Sequence, residues 1–501
     1  MSRLFPRANR LLMIWSFALA LCQTMPAQSP WPGQSGNPVG YTAYGDGILG
    51  TTSCGALSSG VSGAYKIYSK CVAGDVSVNF AIFSQVDFPS GSSITGSNLV
   101  FIGCRFQSNN TQFANVIQNG TNVAFLYSSF TPLASLYTVT PGLIWPAAGA
   151  GTNSLSQTVN VNSIAASAPY QYGIHQPSGP MWLDHSEFWG FGNAIDFSGT
   201  TAQITITNSW FHDACYLNDT CPSPSPNDYH TDGPGYLNGG TGPSNVTIVG
   251  NTIATIGNTH DIAFQAGNGG YDKLIVEQNY LSGNQYAVSW CSPGSKNCTH
   301  SAFYGNVYGT DIMPSFGQLY PSSIDATSVW ACNTIAFRPG TTWTDPQGEG
   351  WHPTSGMNGQ YWTPDDPNVN STTDEGGNTV CGLPAPSSLD FDITAVNSTS
   401  PAQTITLKST NTGSLNITSI ALQTGTQYAI ASNNCGTTLT SGGSCTITVT
   451  FTPTSQGIKS DNLQITANTP SPSSPINVPL IGVGSDTATV VPPTGLSAIV
   501  K

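Results

Sequence analysis

The sequence predicts an all-β chain built as two bodies, a long β-solenoid of stacked short strands followed by a β-sandwich. Three observations predict it. Short runs of β-branched and aromatic residues, each broken by a polar turn residue, recur through residues 98–335 with no helical period. After Pro384 the rhythm changes to longer stretches of apolar–polar alternation between turns. Only 7% of the 501 residues are charged while glycine counts 54, which fits a secreted β protein and argues against a nucleic-acid binder, since that needs Lys and Arg.

The repeat is clearest from Asn245 to Leu281. A strand-like run ends in Asn251 with Ile253 two places on, and the unit returns at Asn279 with Leu281; Ile248 and Val276 stand three places before each Asn. The spacing recurs at Phe101-x-x-Cys104-x-Phe106, Phe125-x-x-Ser128-x-Phe130, Trp182-x-x-His185, Asn208-x-Trp210, Phe303-x-x-Asn306-x-Tyr308 and Trp330-x-x-Asn333-x-Ile335. The marked positions 104, 128, 185, 208, 251, 279, 306 and 333 are separated by 24, 57, 23, 43, 28, 27 and 27 residues. Five of these gaps are one solenoid coil, and the two long ones are coils carrying inserted loops. An Asn at the inward turn can bond to its own kind in the coils above and below. On these residues the chain resembles the right-handed parallel β-helix (pectin-lyase-like) proteins, whose coils carry such an asparagine ladder, over roughly residues 75–385. The resemblance implies a substrate groove along one sheet, walled by loops. The scaffold hosts lyases, hydrolases, adhesins and inert stalks, so it points to a fold and not to one activity.

In chain order, residues 1–27 read as a secretory signal: Arg3, Arg7 and Arg10, an apolar core from Leu11 to Leu21, then Met25-Pro26-Ala27. Cys22 hints at a lipoprotein site, but Leu21 before it fits poorly. No later run is long and apolar enough for a membrane helix. Residues 28–75 form an N-terminal segment and cap, since an exposed solenoid end aggregates. Residues 76–385 form the helix, with insertions at 131–180 and between Asn208 and Asn251. Within 339–386, Trp343, Trp351, His352, Tyr361 and Trp362 crowd among Gly, Pro and Asp, either as a sugar-stacking platform or as a cap on the shaft. Residues 386–388 are a hinge-like linker. Residues 389–484 carry about seven alternating strands. Through Leu407 to Asn411-Thr-Gly413, the Cys435…Cys445 loop, Thr448-Val-Thr-Phe-Thr-Pro453 and Gly482-Val-Gly484, this segment resembles the hydin-type immunoglobulin-like domain of bacterial secreted proteins. That implies an immunoglobulin-like sandwich serving as spacer, anchor or interaction module. Residues 485–501 are a frayed tail.

Of 12 cysteines, Cys22 lies in the leader. Local pairs are expected at Cys54–Cys71, Cys215–Cys221, Cys291–Cys298, Cys332–Cys381 and Cys435–Cys445, leaving Cys104 on an inward coil position; scattered buried thiols are the weaker alternative in an exported chain. No C-x-x-C pair suggests zinc. The net charge of -13 becomes more negative without the leader, and an acidic groove repels polyanions unless a cation compensates.

The insertion ending at Asn251 is the first place to look for chemistry. It holds His212, Asp213, Asp228, His230 and Asp232, dense in titratable groups for a chain so poor in them. In extended backbone Asp228, His230 and Asp232 share a face, and Gly233 lets the chain approach a ligand. His230-x-Asp232-Gly233 also resembles a run seen in many β-helix proteins just before an asparagine-ladder coil. Asp184-His185, Asp196 and His260-Asp261 are expected to line up beside Asp232. Such carboxylates can hydrolyse a glycosidic bond, and Asp184, Asp228 and Asp232 can hold Ca²⁺. The bland alternative is that each bonds to a turn backbone. A β-helix lyase needs a cationic base; Lys273, Arg105 and Arg338 are the candidates, with Lys273 preferred. His212, His260, Asp261, Trp351 and Trp362 are expected to bind substrate. No Gly-His-Gly or Arg-x-Lys run marks a polygalacturonase-like hydrolase. The expectation is thus a secreted monomer acting on polysaccharide as lyase or glycosidase, with a non-catalytic glycan-binding or adhesion protein as the alternative.

Overall fold

The shaft is set by a two-residue corner that recurs from coil to coil. The first corner residue takes positive φ, from 45° at His185 and 46° at Tyr127 and Asn208 to 70° at Gly250. The second is buried inside the shaft: Cys104, Ser128, Ser186, Ser209, Asn251, Asn279 and Asn306 have no exposure. The computed structural model of the protein describes residues 31–33, 37–107, 114–131, 137–141, 157–161, 172–189, 191, 193–197, 199, 202–212, 232–236, 241–254, 260–264, 270–282, 286–290, 298–309, 317–320, 327–336, 380–410, 413–469 and 474–486.

Among these, successive coils give strands to three parallel sheets. The first sheet has 11 strands, its main path running from Lys66–Ser69 to Val329–Ala331. The second has nine, from Asp87–Phe88 to Thr334–Ala336, and the third eight, from Ser92–Ile94 to Gly317–Tyr320. Register is kept from coil to coil, as in Leu99↔Val123 and Phe101↔Phe125. The fold is therefore a parallel β-helix. Within the insertion after residue 131, Tyr137–Pro141 and Gln157–Val161 make an antiparallel pair.

Like residues stack on like along the shaft. Phe83, Phe101 and Phe125 stack at 5.0 and 5.1 Å between ring centroids. Phe88, Phe106, Phe130, Phe188 and Phe211 continue a second column at 4.5, 5.1, 4.2 and 4.9 Å. Each such pair adds about 0.5–1.5 kcal/mol beyond the area it buries.

At the corner, Asn251 Nδ2 donates to Asn279 Oδ1 at 3.0 Å, Asn279 Nδ2 to Asn306 Oδ1 at 3.0 Å, and Asn306 Nδ2 to Asn333 Oδ1 at 3.1 Å. The amide N–H groups of the same residues are satisfied by the next Oδ1 at 2.9–3.0 Å. Earlier coils use smaller rungs: Ser128 N–H donates to Ser186 Oγ at 3.2 Å, and Ser186 N–H to Ser209 Oγ at 3.0 Å. Cys104 is a rung as well. Its thiol donates to the Phe83 carbonyl at 3.3 Å, and burial pushes its pKa up to about 12, so it stays an inert thiol. Two marked repeat positions are corrected by one residue. Ser186 and Ser209, not His185 and Asn208, face inward; His185 and Asn208 take the positive-φ place before them.

The N-terminal segment runs along this corner. Trp31 packs on Tyr280 at 5.4 Å, Gly40 N–H donates to the His185 carbonyl at 2.8 Å, and Arg105 lies 5.7 Å over the Tyr41 ring. Beyond it, Cys54 and Leu57 pack against the first coils, tied by the Cys54–Cys71 disulfide.

The C-terminal body is a β-sandwich of a four-stranded and a five-stranded sheet. Cys381–Ala385, assigned to the helix by the sequence reading, is its first strand and pairs antiparallel with Gln403–Thr410. Its neighbour Leu389–Ala395 enters the other sheet by parallel pairing with Ile476–Ser485. The intervening 386–388 does not swing free: Ser388 is buried and accepts from Asn208 Nδ2 at 2.8 Å. The sandwich lies against the outer face of the first sheet, where Ile393, Ile458, Ile481 and Val483 share a core with Ile82, Val100, Ile102 and Leu126. The Cys332–Cys381 disulfide closes the junction, and Cys435–Cys445 lies within the sandwich. Cys298 is disulfide-bonded; Cys291, Cys215 and Cys221 lie outside the described residues.

Candidate functional site

The third sheet gathers part of the expected constellation. Register aligns Tyr172, Asn193, Asp232, His260 and Tyr286 across successive coils. Asn193 Oδ1 accepts from Asp232 N–H at 3.2 Å, and Asp232 Oδ1 accepts from His260 N–H at 3.1 Å. The column is thus a second side-chain ladder, with an aspartate as one rung. Asp232 Oδ1 also lies 3.3 Å from His260 Nδ1, and both side chains are buried. Three residues along, His175 and Asp196 pair across coils at 2.9 Å. Tyr172 stacks on His175 at 4.8 Å, and its hydroxyl is pushed up to about 12 by burial and by the charges of Asp196 and Asp232. Tyr172 thus stands beside the His175–Asp196 pair and two coils from Asp232 in the register column. Asp261 stands next to this column but is wholly buried. It falls in the register row that begins at Asn115, whose amide donates to the carbonyls of Phe106 and Thr131 inside the shaft at 2.8 Å each.

Other expected members stand elsewhere. Lys273 is exposed on the first sheet, so it does not face Asp232 as a base. Arg105 is on the second sheet and spends its guanidinium on Asp87, at 3.0 and 2.8 Å. His212 is also on the second sheet, 3.2 Å from Glu187 and stacked on Trp210. Asp184 and Asp232 lie on different sheets and are not joint ligands of one ion. Asp213, Asp228, His230, Arg338, Trp343, Trp351, His352, Tyr361 and Trp362 lie outside the described residues.

Asp184 instead heads a second constellation, beneath the sandwich. Its Oδ2 is 2.5 Å from His185 Nδ1, and its Oδ1 accepts from Thr207 Oγ1 at 2.5 Å and Asn208 Nδ2 at 2.9 Å. Asp390, from the sandwich, brings Oδ2 to 3.8 Å from His185 Nδ1. Tyr127 stacks on the His185 ring at 4.7 Å. Burial acts to raise the Asp184 pKa, but the His185 charge and three hydrogen bonds overcome it and hold the carboxyl below its usual range. Burial, with the charges of Asp392 and Asp184, pushes Asp390 well above that range. Burial also raises Asp392, to about 6. Sequence reading missed Asp390 and Asp392: they sit in an ordinary alternating strand, and only the docking of two bodies gives them a partner.

No protein-family model and no curated protein matches the chain. Among solved structures it is similar to pectate lyase Pel9A, at 14% identity over 56% of this chain and 68% of that one, with a TM-score of 0.33. It is also similar to a protein of unknown function from Porphyromonas gingivalis W83, at 15% identity over 21% of this chain with a TM-score of 0.18; it spans 48% of that protein's length. A third likeness is to the ASH/PapD-like domain 7 of human CEP192, at 14% identity over 22% of this chain and 88% of that one, with a TM-score of 0.17. These likenesses decide no chemistry. The parallel β-helix followed by a β-sandwich rests on the strand register above. No helix among the described residues is long and apolar enough to cross a membrane.

Proposed function

We propose that this is an extracellular carbohydrate-active β-helix protein that cleaves a polysaccharide on its third sheet. The observation that carries the reading is that two imidazole–carboxylate pairs, Asp232–His260 and His175–Asp196, stand on successive coils of the third sheet, with Tyr172 stacked on His175. Such a set can pass a proton to or from a sugar oxygen. The insertion between Asn208 and Asn251 also carries Asp228 and His230, four and two residues before Asp232 in the sequence. The disulfides are compatible with an extracellular setting. The sandwich, read as a hydin-type immunoglobulin-like module, serves as anchor or spacer, and the protein works as a monomer. With no cation facing Asp232 from Lys273 or Arg105, a hydrolase is favoured over a lyase that uses one of them as base. Ca²⁺ held by Asp228 and Asp232 is an expected aid on acidic glycans.

A second reading, non-catalytic glycan binding, is favoured by one observation: Asp232 Oδ1 is already engaged by the His260 N–H. Asp232→Asn separates the two, because an Asn keeps that acceptor, as Asn193 does one coil below. Incubation with pectin, alginate, xylan and other glycans, with and without Ca²⁺, should release new reducing ends. Asp232→Asn and His230→Ala should each lower the rate at least about 100-fold while leaving glycan binding intact. Binding without turnover, unchanged in both variants, would establish the second reading instead.

A further inference from the structure

Beneath the sandwich, apart from the proposed site and independent of it, we infer a proton-held latch: Asp184 of the shaft and Asp390 of the sandwich share one proton across the seam, and the docked state loosens as rising pH removes the protons of this cluster.

Hydrogen-bond chemistry carries the inference. A carboxylate has no donor, so two carboxyl groups bond to each other only while one of them keeps its proton. Asp184 and Asp390 are bonded in this way, and their facing oxygens lie with His185 Nδ1 inside a span of 4.8 Å. Asp184 is the acceptor. Its Oδ1 already takes Thr207 Oγ1 and Asn208 Nδ2, and its Oδ2 lies against His185 Nδ1. Asp390 is the donor. Its Oδ1 accepts the Asp392 N–H at 2.8 Å, which leaves Oδ2, turned toward the Asp184–His185 pair, to carry the proton. Water has little access, for the Asp184 and Asp390 side chains are 1% and 3% exposed. The two partners come from different bodies: Asp184 ends a first-sheet strand, and Asp390 lies on the strand Leu389–Ala395.

The titratable groups that face this pair come from every element packed on it. The shaft supplies His185 and Tyr127, the N-terminal segment Tyr44, and the sandwich Asp392 and Tyr428. Tyr127 donates to Asp392. Among the described residues the positive charge is that of His185. With all three carboxyls ionised, two negative charges stay uncompensated inside the seam, and the proton on Asp390 removes one of them. Undocking returns the carboxyls to water, where ionisation is easy. Loss of the protons and opening of the seam therefore promote each other.

The direction follows from the groups themselves. Asp390 and Asp392 titrate above the ordinary value of about 3.9, chiefly because they are buried. Their contribution to docking is whole below that value and is lost as pH climbs through the docked ones, about 6 for Asp392. Burial lowers His185, but the charge and bond of Asp184 override it and hold the imidazole above its usual range. Its contribution is likewise lost as pH rises. Asp184 runs the other way, contributing above about 3.9 and failing below. Docking is thus tightest between about pH 4 and about pH 6. Above that window the sandwich works loose, still tethered by the Cys332–Cys381 disulfide.

Hydrogen exchange of the full chain between about pH 5 and about pH 8, each rate divided by the intrinsic rate at that pH, reads the latch directly. The seam strand Leu389–Ala395 is compared with Ala114–Gln118 on the third sheet. Asp392 alone, with docked and undocked values of about 6 and about 3.9, raises the opening constant about tenfold over this range. The seam strand should therefore lose at least about tenfold in protection while the control strand holds. Asp390→Asn keeps a donor toward Asp184 but cannot ionise, and Asp392→Asn removes the step near pH 6. The double variant should stay protected at about pH 8. Seam protection that is unchanged from about pH 5 to about pH 8 in the wild type would overturn the latch. So would an equal loss in the double variant, or a loss shared by the control strand. If the variants fail to fold, the wild-type comparison of the two strands decides alone.

Discussion

Two places on the shaft set buried aspartate against histidine, and they differ in where the acid's neighbours come from. At Asp232–His260 the partners are on adjacent coils of one sheet, and the carboxylate also accepts the backbone N–H of the next coil. At Asp184–His185–Asp390 the partners come from two bodies, and Asp184 is bonded to side chains. The first arrangement is continuous with the ladder and can be imitated by an amide, as Asn193 shows. The second exists only while the sandwich is docked, and no amide reproduces its charge. A carboxylate in a solenoid thus has two very different meanings, and the identity of its hydrogen-bond donors tells them apart.

The sharpest way to break this contrast is Asp184→Ala. It removes the carboxylate bonded to buried His185 and leaves only Asp390, 3.8 Å away, to face the imidazole; losing one member of a buried pair costs about 3–5 kcal/mol. Denaturant unfolding should show that loss, together with increased protease access to the sandwich junction. A wild-type unfolding curve would mean that the pair does not hold the docked state. The paired replacement Cys332→Ala with Cys381→Ala attacks the same seam from the chain. Releasing a loop of 49 residues should cost about 2–4 kcal/mol.

At the ladder the effects are smaller. Asp232→Ala strips the acceptor from the His260 N–H and should cost about 1–3 kcal/mol. Asp232→Asn should cost under about 0.5 kcal/mol, within the range of neutral substitutions. Equal losses from both variants would show that the charge, rather than the acceptor, stabilises this place.

Much of the shaft was legible because its chemistry is local and repeats. The Phe and Asn periodicity placed the coils at 104, 128, 251, 279, 306 and 333 where the inward rungs stand. The sequence reading slipped at 185 and 208 because His and Asn are conspicuous, while the true rungs, Ser186 and Ser209, are ordinary residues. Small hydroxyls make the same inter-coil bond as an amide, so the ladder tolerates them without leaving a mark. The Asp232–His260 alignment was partly legible because parallel register brings neighbouring coils together. The seam was not. Asp184 and Asp390 are joined only by one body folding back on another, and hydrophobic alternation does not record which strand docks where. The same limit explains Lys273: its charge was visible, but not that it faces away on the first sheet.

The smallest expected effect lies far from both constellations, where the N-terminal segment is pinned. Asp46 accepts from Lys70 Nζ at 2.5 Å, Gln85 Nε2 at 2.6 Å and the Ile48 N–H at 3.1 Å. The bond from Lys70, then those from Gln85 and Ile48, lower its pKa to about 2. The folded value lies below the unfolded one of about 3.9. Asp46 therefore stabilises the fold above that unfolded value and loses the contribution as pH falls toward the folded one. The side chain is exposed, so solvent and salt screen the interaction and the effect is small. Asp46→Asn should lower Tm slightly at neutral pH, and the gap from wild type should close as pH is brought from about 5 to about 2. A gap that stays constant over this range would mean that the segment is held by Trp31, Gly40 and Tyr41, with Asp46 a bystander.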